Sequence, residues 1–241
     1  MSKDKKDDKP IDNSKYDHKP IKFFDKDDHY ELYFVGEFEH DNDNNSVLAD
    51  LLVDLKEANK DKELHIFINS YGGYVCTLTM LLTMVLRFKH RVTVCTGVAM
   101  SCGLNLWACG HERYCTEFSD FLHHDMSELT WGKGVELKHT ADELIELNRQ
   151  VDKACGVDQI FTPEELKLAE TSEVRLTGLT MMARGVAKSI SEYDNRTIPS
   201  KKEVYEVDDK LYELKDNKYY KLTRSTTSIT YNQLVHSKKS K

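Results

Sequence analysis

Gly97-Val98-Ala99-Met100-Ser101-Cys102-Gly103 is the stretch on which the fold of this chain turns. It follows a β-type run, Val92-Thr93-Val94-Cys95-Thr96, and leads into a short helical run from about Cys102 to Cys109. A serine with small neighbours at a strand-to-helix turn exposes its hydroxyl. It also leaves backbone N–H groups free at the helix N-terminus, where an oxyanion is stabilised. On spacing alone, a helix N-capping serine in a glycine-rich turn is the simpler explanation.

Upstream, Leu64-His65-Ile66-Phe67-Ile68-Asn69 reads as a buried strand running into a second glycine turn, Asn69-Ser70-Tyr71-Gly72-Gly73. Gly72-Gly73 allows positive φ and close backbone approach. No Lys-Ser/Thr follows it, so a phosphate-binding loop is a poor fit. Val75 to Phe88 returns to helical spacing, as does a stretch opened by Asn45 or Ser46 with Val47, Leu48, Leu51, Leu52 and Leu55 on one face. With the strand Glu31 to Gly36, this is β-α-β-α-β alternation, which predicts an α/β fold with a parallel-rich sheet and crossover helices.

Downstream, strands are predicted near Arg113-Tyr114-Cys115 and Asp120-Phe121-Leu122-His123, and a long helix over Val135 to Cys155. Thr162-Pro163-Glu164-Glu165 carries the start signals of another helix, and Leu179 to Arg184 is a last one stopped by Gly185. From Ser200 on, Val204–Val207, Lys210–Leu214 and Lys218–Leu222 are short alternating strands of a β-meander. The expected organisation is a disordered charged tail over 1–28, a core domain over 29–192, and a C-terminal extension over 193–241.

Composition narrows the function classes. The chain has 241 residues, 39% hydrophobic and 31% charged, with a net charge of −7. That balance gives no electrostatic case for nucleic acid. Six cysteines fit no zinc spacing and lie mostly in apolar runs, where free cysteine acts as a small hydrophobe. With no apolar segment in the first 28 residues and no membrane-spanning run, a soluble cytoplasmic protein is expected.

His123 and His124 end an apolar strand, and alternation puts them on opposite faces, so at most one serves a given site. Glu173, in Glu170-Thr171-Ser172-Glu173-Val174-Arg175-Leu176-Thr177-Gly178, reads in isolation as a surface carboxylate.

Together these segments resemble the Clp protease proteolytic subunit family, ClpP. Ile66-Phe67-Ile68-Asn69-Ser70-Tyr71-Gly72-Gly73 is similar to that family's INSPGG turn, and Gly97 to Gly103 to its GxAASMG nucleophile turn. Cys115 to His124 resembles the approach to its MIH histidine, and Leu176-Thr177-Gly178 through Val186 its last core element. The resemblance covers roughly residues 30 to 190. It implies a ClpP/crotonase-like repeated β-β-α spiral core carrying the C-terminal β-meander as an extension.

It also implies a serine endopeptidase with Ser101 as nucleophile, His124 as base and Glu173 as the third member, with backbone N–H groups of Gly73 and Cys102 as the oxyanion hole. Neither metal nor organic cofactor is implied. Peptides or unfolded proteins would be substrates, sevenfold rings stacked in pairs the assembly, helix Val135 to Cys155 the handle between rings, and an AAA+ unfoldase a partner. The chain departs from the family at Tyr71 for proline, Asp125-Met126 for Gln-Pro, Glu173 for aspartate, and in its polar N-terminus and β-meander. Divergent members of this kind occur in bacteriophages, some as capsid-maturation proteases acting in host cytoplasm. A catalytically silent structural subunit and a crotonase-like acyl-CoA-binding protein are the alternatives from other classes.

Overall fold

The computed structural model describes residues 21–39, 45–127 and 130–196, and beyond them the strands of a second unit. Contacts divide the chain into units at Asp194 and Asn195. The first opens with β1 (Ile21–Asp25), β2 (His29–Val35), α1 (Asn45–Glu57), β3 (Glu63–Ser70), α2 (Val75–Val85), β4 (Arg91–Met100) and α3 (Cys102–Ala108). It continues through β5 (Glu112–Cys115), β6 (Asp120–His123), α4 (Gly134–Cys155), a 3-10 turn at Val157–Gln159 and α5 (Pro163–Ala169). It closes with β7 (Val174–Thr177), α6 (Gly178–Ala183), β8 (Lys188–Ser189) and α7 (Ile190–Asp194). The second unit is an antiparallel sheet of β9 (Val204–Val207), β10 (Lys210–Lys215), β11 (Lys218–Arg224) and β12 (Ile229–Gln233), adjacent in chain order.

Strand order in the first unit is β1-β2-β3-β4-β5-β8. The pairs from β2 to β8 are parallel, and antiparallel β1 guards one edge. The predicted parallel sheet with crossover helices is therefore present. Its core is aliphatic and aromatic: Leu32, Leu64, Ile66, Ile68, Leu78 and Leu104 are wholly buried, and Trp107 packs on Phe121 with ring centroids 4.4 Å apart. Burying a tryptophan obliges its indole N–H to find an acceptor, which the Tyr114 carbonyl supplies at 3.2 Å.

Two expectations are corrected. The tail predicted as disordered over 1–28 contains β1, whose Ile21 to Asp25 pair with Phe34 to Tyr30 of β2. Phe23 stacks on Tyr30 at 5.3 Å, so the strand is made by its partner and not by its own Lys- and Asp-flanked sequence. The strand expected to stop at Gly97 continues to Met100.

That continuation organises the site. The register between β3 and β4 shifts between Ile68 and Ser70. The Asn69 side chain spans the irregularity, its Oδ1 accepting the Val98 N–H at 3.0 Å. A Cβ on Gly97 would lie 2.4 Å from that oxygen, so any larger residue would push the Asn69 side chain out of this bond. Beyond the break β4 changes partner: Val92 to Cys95 pair with β5, whereas Val98 to Met100 pair with β6. β6 in turn pairs antiparallel with β7. The sheet forks, and its smaller branch, β4-β6-β7, brings Ser101, the two histidines and Glu173 to adjacent strand ends.

Candidate active site

Ser101 stands between β4 and α3 with φ 52° and ψ −124°. Among the described residues it is the only non-glycine at positive φ. An ordinary N-cap adopts extended backbone and spends its side-chain oxygen on the helix. Ser101 does neither: its hydroxyl makes no cap hydrogen bond. The first turn is closed by its carbonyl, which accepts the Leu104 and Asn105 N–H groups, while its own N–H goes to Leu122 in β6 at 2.8 Å. The strained backbone therefore serves to lift the hydroxyl out of the turn, at a cost of order 1–3 kcal/mol borne by the packing around it.

The two glycine turns hold the serine between them. A Cβ on Gly72 (φ 108°) would lie 2.7 Å from Ser101 Cβ and 2.9 Å from the Met100 carbonyl oxygen. One on Gly103 would lie 2.8 Å from the Ser70 carbonyl oxygen. Gly73 forms a parallel bridge with Phe38, but its hydrogen bonds use the flanking groups: Phe38 N–H to Gly72 O, and Tyr74 N–H to Phe38 O. Among the described residues the Gly73 N–H has no acceptor. Cys102 is the first residue of α3, where an N–H has no intrahelical partner. Its thiol donates to the Gly73 carbonyl at 3.2 Å and so ties the two turns together. Burial pushes that thiol up to about 11, even though a hydrogen bond with Ser101 opposes the shift, so it stays protonated at neutral pH.

His124 lies just past β6, half-buried. Its Nδ1 is 2.6 Å from the Asp125 carbonyl oxygen. A carbonyl only accepts, so Nδ1 carries the proton and Nε2 presents a lone pair, the tautomer a general base requires. The β6–β7 register pairs His123 with Val174; continued by one residue, it sets His124 opposite Glu173. Glu173 is exposed. Among the described residues no hydrogen bond joins Ser101 to His124 or His124 to Glu173. The structure thus brings the predicted residues to one corner, with the serine half fully built and the acid not engaged with the imidazole.

His123 faces the other way. It is 2% exposed, its ring lies 5.1 Å from that of Phe161, and among the described residues its Nδ1 has no partner. Burial, and after it the neighbouring His124, hold it down at about 4, so it is neutral. It lines a cavity of about 560 Å³ with Asp125, Asn148 and Asp152. Donor atoms of His123, Asp125 and Asp152 lie within 4.8 Å of one another, which makes them the candidate metal ligands among the described residues. Burial raises Asp152 to about 6, against hydrogen bonds from Asn105 and Asn148. Asp125 is also raised, by burial and by the charge of Glu170.

Sequence reasoning missed this group as a site. Its signals were Asp125 standing where the family has glutamine, and Asn148 and Asp152 falling four residues apart on α4 beside the apolar stripe. All six cysteines are free, with Cys76 exposed and the other five buried.

The family model for Clp protease matches residues 27–194. The chain belongs to the Clp protease family. It is at that level a ClpP-type peptidase chain, and its forked α/β sheet with crossover helices is the ClpP-like fold. The match ends where the first unit ends, so the β9–β12 sheet lies outside the family region. No helix among the described residues is long and apolar enough to cross a membrane.

Proposed function

We propose that this Clp-family chain is a serine-type endopeptidase in which Ser101 is the nucleophile, His124 the general base, and the Gly73 and Cys102 N–H groups the oxyanion hole. The observation that carries this is Ser101 itself, a helix-capping position held at φ 52° whose hydroxyl does no capping. Two unspent N–H donors beside it supply the complement an acyl-transfer site needs.

Ser101 Oγ attacks a peptide carbonyl while His124 Nε2 takes its proton. The two amides hold the oxyanion, and the imidazolium returns the proton to the leaving amine. Water then releases the acyl group by the reverse relay, and Ser101 recovers its proton. The Asp125 carbonyl keeps Nδ1 protonated throughout. Glu173, opposite His124 by register, is the third member, stabilising the imidazolium electrostatically.

Oligomeric rings are part of the same proposal. Support comes from α4, 22 residues and about 33 Å long. Only Asn148, Val151 and Cys155 of it are buried, while Val135 and Ile145 are exposed. A helix that leaves most of its length unpacked on its own subunit is suited to docking another.

The test is labelling with a serine-reactive fluorophosphonate alongside hydrolysis of a fluorogenic peptide library. Wild-type chain is expected to label at Ser101 and to cleave peptides, and Ser101→Ala to do neither. Cleavage persisting in Ser101→Ala overturns the proposal. A wild-type chain that never labels while forming rings indicates a silent structural subunit instead.

A further inference from the structure

His123 is left over by the chemistry above, and the structure gives it company that the chemistry does not use. Its Nε2 lies 3.5 Å from Asp152 Oδ2, beyond a good hydrogen bond. Its Nδ1 is buried and, among the described residues, without a partner. One nitrogen of this buried imidazole is therefore unpaired, and the other, Nε2, faces a carboxylate at a distance that leaves it open to a ligand.

The two carboxylates beside it are arranged but not neutralised. Asn148 Nδ2 donates to Asp125 Oδ1 at 3.0 Å and to Asp152 Oδ2 at 3.3 Å, and Asn105 Nδ2 donates to Asp152 Oδ1 at 2.8 Å. Neutral amides thus orient both acids. Among the described residues no lysine or arginine pairs with either acid: Arg149, at the cavity wall, is taken by Glu146, and Lys153 and Lys167 line the cavity without reaching them.

We propose that His123, Asp125 and Asp152 form a binding site for a divalent transition-metal ion of the Zn²⁺ type. The donor set is one imidazole and two carboxylates, whose combined charge a dication cancels. Two tetrahedral ligands at zinc distances stand about 3.4 Å apart, which is the spacing of His123 Nε2 and Asp152 Oδ2. The third donor is within 4.8 Å, a movement one side-chain rotation supplies, and the adjoining cavity leaves a fourth position for water. Asn105 and Asn148 already provide the outer hydrogen bonds that orient ligating carboxylates.

Zn²⁺ binding to the full chain is measured by competition with a chromogenic chelator, and Co²⁺ binding by its visible absorption. One equivalent is expected. Asp125→Asn and Asp152→Asn should weaken binding more than the about 10–100-fold typical of losing an outer partner. Asp158→Asn, in the same cavity, should leave it unchanged. Wild-type chain that takes up no Zn²⁺, variants that bind as wild type, or an equal loss in Asp158→Asn overturns the site. If either asparagine variant fails to fold by circular dichroism, Co²⁺-loaded wild type decides. Paramagnetic broadening must then centre on Leu122–Asp125 and Asn148–Asp152, and broadening centred elsewhere overturns the site.

Discussion

The serine side and the acid side of the site are built to different standards. Around Ser101, Gly72 and Gly103 leave no room for a Cβ, the backbone is held in a strained turn, and the Cys102 thiol ties the two glycine turns together. Around His124, a single backbone hydrogen bond sets the ring, and the carboxylate opposite is exposed and unengaged. The proposed nucleophile and oxyanion donors are therefore preorganised within one chain. In the proposed mechanism His124 depends on its tautomer-setting carbonyl more than on the acid. Electrostatic preorganisation is the larger share of catalysis in such sites, so a rigid serine side with a looser acid side is a workable division.

The sharpest test of that contrast compares its two titratable members. His124→Ala removes the proposed base and should lower kcat/KM by about 10⁴-fold or more, as loss of a member acting as a unit does. Glu173→Gln keeps size and polarity and leaves the Asp125 carbonyl in place, so a fall of about tenfold is expected, a long-range electrostatic effect. Equal losses in steady-state peptide hydrolysis would show that Glu173 engages the imidazole in the working assembly.

Next in size is Gly72→Ala. The added methyl meets Ser101 Cβ at 2.7 Å on a residue with φ 108°, so both packing and backbone resist it. Destabilisation of about 3 kcal/mol is expected, with loss of fluorophosphonate labelling in whatever fraction still folds. Chemical denaturation and labelling on the same sample separate the two effects. The mirror experiment is Ser101→Gly, which abolishes hydrolysis yet relieves the positive φ. It should stabilise the chain by about 1 kcal/mol; a lower denaturation midpoint than wild type would mean that the serine is not strained.

These contrasts also mark what sequence could and could not convey. The alternation of Ile66–Asn69, Val75–Phe88 and Val92–Thr96 carried the parallel sheet, because buried parallel strands and their crossover helices have distinct periods. The capping box at Thr162 and Glu165 was equally local, and both of its hydrogen bonds are present. β1 was not legible, since Lys22 and Asp25 bracket its aromatics and only pairing with β2 makes it a strand. The fork in β4 was hidden for a related reason. Gly97 looks like a strand end, and its real role is to clear a path for the Asn69 side chain twenty-eight residues earlier. The corner shared by Ser101, His124 and Glu173 came from resemblance and not from spacing. The His123–Asp125–Asp152 group needed α4 folded back beside β6 before its members could meet.

Smaller effects sharpen the serine assignment against a thiol one. The Cys102, Cys95, Cys109 and Cys115 thiols are all pushed up, to about 11 or 12, by burial. Native chain should therefore react rapidly with Ellman's reagent at Cys76 alone, the one exposed cysteine, and at all six after denaturation. Iodoacetamide at neutral pH should leave peptide hydrolysis intact. Inhibition tracking modification of Cys102 would move the nucleophile one residue along the chain.

The smallest expected effect concerns pH and the acid side alone. Arg184, the C-cap of α6, makes a two-pronged ion pair with Glu165 on α5, at 2.7 and 2.9 Å, and these helices flank β7 and Glu173. The Arg184 guanidinium holds the Glu165 carboxyl below its ordinary 4.5. A carboxylate depressed in the folded state stabilises above its unfolded pKa, and that contribution is lost as pH falls through the folded value. With both side chains partly exposed, the pair is worth no more than about 1 kcal/mol. Backbone amide exchange compared at neutral pH and near pH 3.5 should then show protection falling first over Pro163–Ala169 and Gly178–Ala183. Cys102–Ala108, behind Ser101, carries no such ion pair among the described residues and should keep its protection over the same interval. Simultaneous loss in both regions would mean that the two halves of the site open as one cooperative unit, and that the difference in their construction is not a difference in stability.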